Sequence, residues 1–279
     1  MLYSSCAFSL MALCVKSASP VLPSYEIVFF RSLLGLLMTW AVIRRKNIRL
    51  TKDSWRHLML RGLSGFAALL LYFYTLTRLP LGTAVLLNYT SPVFSTLLAM
   101  IFLNERPNAL LGGMTLMAFA GIYFLVDRPE ITDQAAVWTG LLSALCAGVA
   151  YVSIRAIKHR ESPFVIIFYF TVISTVGSLF FLPRGFVWPG LAEWLAIAGI
   201  GVFSYYGQLW LTISLRRIPA SLAVPFSYLT PLLSFFYGFL FWREHLSVKE
   251  MAGAFMIIAS GSLISWLGHT REGKTAVKN

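Results

Sequence analysis

Ten apolar stretches, each about as long as a lipid bilayer is thick, run in succession along this chain. They cover residues 2–18, 25–43, 58–77, 82–102, 109–126, 137–156, 164–182, 194–214, 220–242 and 249–267. A helix needs about 20 apolar residues, within a range of roughly 17 to 25, to cross a hydrocarbon layer about 30 Å thick. The composition agrees, with 58% apolar and only 12% charged residues, where a soluble domain carries about 25% charged. The mean hydropathy is +0.73. A water-facing shell would need more polar side chains than the chain contains, so lipid must be the outer solvent. Strand-type alternation is missing, which argues against a barrel. The expected fold is an all-α integral membrane protein of ten transmembrane helices.

The first stretch opens at Met1 and meets Lys16. No basic region precedes it, no small-residue cleavage site follows it, and nine further stretches come after, so it reads as a spanning helix rather than a secretory signal. Cys6, Cys14 and Cys146 all fall inside stretches with no metal or redox spacing. They read as small packing residues, and neither a metal nor a cofactor is expected.

A net charge of +12 raises the possibility of nucleic-acid binding, but the placement of the charges gives another explanation. With the N-terminus inside, the inner segments hold 16 Lys and Arg residues and the outer segments 6, leaving Arg31 within the second stretch. Arg44, Arg45, Lys46, Arg49, Lys52 and Arg56, with Arg61 at the start of the third stretch, supply most of the inner excess. This is the positive-inside bias of a membrane protein with both termini cytoplasmic. No aromatic-interleaved basic patch accompanies it, so nucleic acid is not an expected partner.

The chain also repeats itself at an offset of 139 residues. Arg78–Glu105 lies on Arg217–Glu244 without a gap, with nine identities that include Pro80/Pro219, Tyr89/Tyr228, Pro92/Pro231, Ser95/Ser234 and Glu105/Glu244. Shared lipid solvent explains matching apolar residues, but not Pro, Tyr and Glu recurring at one spacing. Duplication explains both. After one added residue, Gly113 and Gly121 fall on Gly253 and Gly261. The expected units are residues 1–130 and 131–269, each of five helices, followed by a basic tail at 270–279. Five is odd, so the second unit runs oppositely through the membrane, and the repeats are inverted.

Ten stretches in two fives, the PSYEIVFFR segment from Pro23 to Arg31, and LNYTSPVFSTLLAMIFLNE with its echo at the end of the ninth stretch resemble the drug/metabolite transporter superfamily, within it proteins with two EamA-type domains. The resemblance covers nearly the whole chain. It implies carrier-type transport of small organic solutes, such as amino acids, nucleoside-like metabolites or toxic compounds, in either direction. The second half departs from the pattern, because the segment corresponding to Pro23–Arg31 reads ESPFVIIFYF and lacks an arginine.

Pro92 and Pro231 sit near mid-span, where a proline removes one backbone hydrogen bond and frees the carbonyl four residues earlier, here those of Asn88 and Ser227. Both are candidate hinges lining a cavity, since polar backbone at that depth must be covered by protein or meet water. Asn88, Tyr89, Ser91, Ser227 and Tyr228 flank them as candidate solute contacts, and Tyr72, Tyr74, Tyr151, Tyr205, Tyr206 and Gln208 are candidates to join them, with Tyr205 and Tyr206 read alternatively as interfacial anchors. Glu26 and Arg31 are charges expected inside a span, and an intramembrane charge points to function. Arg31 is read either as a holder of a carboxylate or phosphate or as a structural partner of another helix. Glu105 and Glu244, just past the fourth and ninth stretches, are read as caps on the following helices or as proton-coupling groups. Asp127, Glu130 and Asp133 lie in a loop interrupted by Pro129, and read as solvated rather than metal-binding.

The expected function is secondary transport of a small metabolite or drug-like solute across the bacterial inner membrane by alternating access, with a midplane site between the repeats. A proton or counter-solute is the coupling partner and membrane lipid the surrounding one. The alternative is an integral-membrane enzyme acting on a lipid or isoprenoid substrate. No phosphate-binding loop is present to draw on ATP. Reporter fusions placed after Asn279 and in the loop near Glu130 are expected to give opposite activities. The same activity at both sites would contradict the orientation.

Overall fold

A computed structural model describes residues 1–50, 54–103, 109–126, 133–157, 161–217, 226–245 and 247–276. The elements are α1 (Leu2–Ala18), α2 (Ser24–Arg45), α3 (Trp55–Arg78), α4 (Leu81–Asn88), α5 (Ser91–Leu103), α6 (Ala109–Val126), α7 (Gln134–Ile157), α8 (Pro163–Leu179), α9 (Leu191–Arg217), α10 (Leu229–Trp242) and α11 (Val248–Ala276), with a 3-10 turn at Leu182–Arg184. Among the described residues there is no strand. Five of these helices are long and apolar enough to cross a membrane, within Ser24–Arg45, Trp55–Arg78, Gln134–Ile154, Pro163–Arg184 and Leu191–Ser214. Together α4 and α5 occupy the fourth apolar stretch.

Local chemistry fixes several helix starts. Ser247 and Glu250 close a reciprocal capping box on α11, the Ser247 amide donating to the Glu250 carboxylate at 2.7 Å and the Glu250 amide to the Ser247 hydroxyl at 3.3 Å. Asp133 accepts from the Ala136 amide at 3.0 Å and caps α7. Pro163 opens α8, where its missing N–H costs nothing.

The most extensive packing runs between the halves and comes in repeat-related pairs. By the 139-residue offset, α1 corresponds to α7, α2 to α8, α3 to α9, α4–α5 to α10, and α6 to α11. The contact of α3 with α7 is accordingly mirrored by α9 with α1, and α5 with α7 by α10 with α1. Helices α2 and α8 meet their own equivalents, as do α6 and α11. The interior is an apolar cluster that includes Val15, Leu22, Phe73, Leu76, Leu81, Leu86 and Leu87. Outward, Trp138, Leu191 and Phe255 are 69%, 80% and 72% exposed. Such a surface is a lipid-facing one.

Hydroxyl groups inside the helices mostly satisfy themselves. Thr39, Thr171, Thr175 and Ser178 each donate to a carbonyl four residues back, at 2.7–3.0 Å. These residues are therefore accounted for by their own helices, as the absence of water demands.

Glycine sets the closest helix approach. A Cβ at Gly121 would lie 2.8 Å from the Gly253 carbonyl oxygen, whereas one at Gly113 would meet nothing within 4 Å. Gly121→Val is therefore expected to force α6 and α11 apart and cost about 1–3 kcal/mol, seen as a lowered thermal midpoint of the purified protein. Gly113→Val serves as the control and is expected to stay near the native value. Equal effects from the two would contradict this packing.

Candidate functional site

Both prolines follow a break in the helix. The chain leaves α4 at Asn88, turns through Tyr89 and Thr90, and re-enters helix at Ser91, which places Pro92 in the first turn of α5. Thr90 closes the turn, its amide and hydroxyl both donating to the Leu87 carbonyl at 3.2 and 2.6 Å. In the second half the break falls at Tyr228, with Pro231 in the first turn of α10. Proline is tolerated in a first turn, where its missing donor would be unsatisfied anyway. The repeat-equivalent tyrosines meet, the rings of Tyr89 and Tyr228 lying 6.2 Å apart. The Tyr89 hydroxyl donates to Thr230 at 2.9 Å, and Thr230 donates to the Ser5 carbonyl at 3.2 Å. The first break is thereby tied to α10 and α1.

Beside this junction lies a cavity of about 100 Å³. Phe8 and Met11 of α1, Arg31 of α2, Arg61, Gly65, Ala68, Leu69 and Tyr72 of α3, and Asn88 and Tyr89 at the break form part of its wall. Ala147, Ala150 and Tyr151 of α7, Phe170 of α8 and Gln208 of α9 complete it, so both halves contribute. The Asn88 amide donates to the Ser143 hydroxyl at 2.7 Å, and Ser143 donates to the Ala68 carbonyl at 2.9 Å. Arg31, Asn88, Tyr89, Tyr151 and Gln208 are thus brought together, while Ser91 is buried outside the wall.

Charge is the unusual feature of the wall. Arg31 and Arg61 are 4% and 5% exposed. The Arg31 guanidinium carbon lies 5.5 Å from the centre of the Phe170 ring and 5.9 Å from that of Phe73, and its Nε donates to the Ser204 hydroxyl at 2.9 Å. The Arg61 guanidinium carbon lies 4.4 Å from the same Phe170 ring. Sharing one ring, the two charges are separated by no more than about 10 Å. At an effective dielectric of about 20 their repulsion is at least about 1.7 kcal/mol. Among the described residues neither has a carboxylate partner, and the Arg61 Nε has no hydrogen-bond partner.

Gly65 makes the seat for Arg61. A Cβ there would fall on the Arg61 Nη1 and sit 3.0 Å from the Phe170 ring. Arg61 therefore does not belong to the solvated basic edge in which the charge count places it. Its position at a stretch boundary, beside a run of loop cations, hid it. Phe170 has a sequence signal, since an offset of 139 from Arg31 lands on it. The structure stacks the arginine of one repeat on the aromatic residue that replaces it in the other.

The remaining candidates lie elsewhere. Tyr228 is 1% exposed and packs against Gly261, and its hydroxyl has no partner among the described residues. It stands behind Tyr89 rather than in the cavity wall. Ser227 is half-buried and also outside the wall. Glu26 is fully buried near the opposite end of α2 from its basic last turn, where one carboxylate oxygen accepts from the Val187 amide at 2.7 Å. Glu105 lies outside the described residues.

Glu244 caps a helix of the other half instead of the helix that follows it. Arg243 adopts a left-handed conformation with φ 54° and ψ 32°, and the Glu244 amide donates to the Gly238 carbonyl at 3.1 Å. This sharp helix end, of the kind usually built on glycine, swings the Glu244 carboxylate onto the start of α4. It accepts from the Leu81 amide at 2.8 Å and pairs with Lys16 at 3.5 Å. Lys16 also donates to the Leu79 carbonyl. A carboxylate at a helix N-terminus is favoured by both the orphan donors and the dipole.

The structure is an all-helical membrane bundle of two repeats with a cavity walled by both. The chain belongs to the EamA-like transporter family, whose sequence pattern matches residues 1–127 and 134–266. It is 33% identical over 273 residues to the pseudopaline exporter of Pseudomonas aeruginosa, covering 97% of this chain and 95% of that one. It is 26% identical to an S-adenosylmethionine uptake transporter of Rickettsia bellii, covering 85% and 82%, and 24% identical to human solute carrier family 35 member G1, covering 93% and 76%. A solved crystal structure matches the fold with a TM-score of 0.68 at 20% identity, over 95% of this chain and 96% of that one. Family and relatives are transporters, which sets the enzyme alternative aside.

Removing the Ser204 hydroxyl leaves a buried charged donor without its partner, at a cost of about 1–3 kcal/mol. Ser204→Ala is expected to lower the thermal midpoint, and Ser204→Thr, which keeps the hydroxyl, to stay closer to native. Indifference to both would mean that this bond does not hold Arg31.

Proposed function

We propose that the protein is a secondary carrier that moves a small organic solute across the bacterial inner membrane by alternating access, with the solute bound in the cavity between the repeats. The observation that carries this reading is the cavity itself: a chamber walled by both halves, in which Arg31, Arg61, Asn88 and Gln208 are set among largely apolar residues. Inverted repeats provide two near-equivalent arrangements, one open to each face, around a fixed central site.

In this reading Arg31, Asn88, Tyr89, Tyr151 and Gln208 contact the solute, and Ser91 opens the helix that follows the first break. Pro92 and Pro231 act as hinges, because each starts a helix that can swing about the break before it. Ser227 and Tyr228 then support the second hinge and not the solute. With the N-terminus inside, the Lys16–Glu244 pair and the start of α4 lie on the outer face, where they close the chamber. Opening outward requires Glu244 to release the Leu81 amide. Breaking this seal, and not the capping of its own next helix, becomes the role proposed for Glu244. Residues 1–130 and 131–269 are the two repeats, and both termini remain cytoplasmic.

The test is reconstitution into proteoliposomes with a panel of labelled amino acids, nucleosides and organic acids. Gln208 is the cleanest probe, since its side chain shows no protein hydrogen bond among the described residues. Asn88→Ala and Gln208→Ala, one from each half, are each expected to weaken apparent affinity roughly 5- to 150-fold. Tyr228→Phe is expected to leave affinity near native. If both cavity variants transport with native affinity and rate, the solute binds elsewhere.

A further inference from the structure

We infer that the solute is a compact organic acid carrying two carboxylates, one for each of Arg31 and Arg61. This rests on the cavity being the solute site and goes beyond it by naming the chemistry of the occupant.

Two buried guanidiniums face one small chamber, and no described carboxylate neutralises either. A buried charge normally has a partner, because desolvation without one is costly. Here each seat is built separately. Arg31 is held by Ser204 and two aromatic rings, and Arg61 lies in a slot that exists because residue 65 has no side chain. The shared Phe170 ring keeps the charges close but apart. A single carboxylate would leave one of them uncompensated. Two carboxylates match the pair in charge, and the guanidinium fork suits each of them. A chamber of about 100 Å³ suits a short-chain diacid. Phe170, Tyr72 and Tyr151 offer apolar faces for its carbon backbone.

The ligand-free site is electrostatically frustrated, which separates a binding role from a structural one. If the arginines exist for a ligand, neutralising one removes a repulsion and stabilises the empty protein. If Arg61 holds the fold, its loss destabilises the protein.

The experiment uses the full-length protein in lipid nanodiscs. Binding of succinate, glutarate and adipate, of their monomethyl esters, and of glycerol phosphate is measured by thermal shift. In the native protein the diacids are expected to bind roughly 10- to 100-fold more tightly than the half-esters. Arg61→Gln is expected to raise the ligand-free thermal midpoint and abolish that preference. Gly65→Ala keeps both charges but displaces Arg61, and is expected to abolish the preference without raising the midpoint. The inference is overturned if half-esters match diacids, if glycerol phosphate binds more tightly than any diacid, or if no diacid binds. It is also overturned if Arg61→Gln lowers the midpoint and spares the preference. Should the diacids fail while Asn88→Ala and Gln208→Ala still impair transport of another solute, the dicarboxylate falls and the cavity stands. If those variants also transport normally, the cavity reading falls with it.

Discussion

A bilayer offers no water to a polar group, and this single constraint organises the molecule. It forces the backbone into helices, turns the hydroxyls of Thr39, Thr171, Thr175 and Ser178 back onto their own carbonyls, and requires any helix break to be covered. At the first break, Thr90 satisfies the Leu87 carbonyl, and Tyr89 reaches across to Thr230. Measured against this economy, Arg31 and Arg61 stand out as two buried cations in the wall of one chamber, with no carboxylate partner among the described residues. Exceptions of this kind mark the place where a membrane protein meets something other than itself.

The repeat explains why the chamber lies between the halves, and its breakdown explains why a charge is set in its wall. Equivalent helices pair across the halves, Tyr89 meets Tyr228, and Gly121 of one repeat packs on Gly253 of the other. A perfectly symmetric protein would carry either two arginines or two phenylalanines at positions 31 and 170. It carries one of each, stacked together. In the proposed reading, symmetry supplies the two alternative arrangements a carrier needs, and divergence at the centre supplies recognition.

Much of the fold was legible because lipid solvent writes it directly into hydropathy and length. The repeat was legible because Pro, Tyr and Glu recur where apolarity alone cannot place them. Arg31 stood out by its depth in the second stretch. Arg61 did not, since it adjoins a cytoplasmic cluster and the charge bias absorbed it. Only the slot at Gly65, which is a property of side-chain packing against Phe170, distinguishes it from its neighbours. Glu244 was readable as a cap but not as the cap of α4, because its target depends on the left-handed turn at Arg243. Tyr228 shares its local sequence with Tyr89, yet Gly261 draws it into packing instead of into the chamber wall. Spacing within one helix predicts faces, whereas which faces meet is decided by the other half.

The central claim is that one chamber between the repeats is reached from either side of the membrane in turn. Side-specific thiol labelling tests it most directly, using a background in which Cys6, Cys14 and Cys146 are replaced, with Asn88→Cys as the reporter. The account predicts that a membrane-impermeant reagent labels position 88 from the cytoplasmic side when the seal at Glu244 is intact. Adding Glu244→Gln, which weakens the hold on Lys16 and the Leu81 amide, should open the same position to labelling from the outer side. Failure to label from either side, or unchanged sidedness when the seal is broken, would contradict alternating access through this cavity.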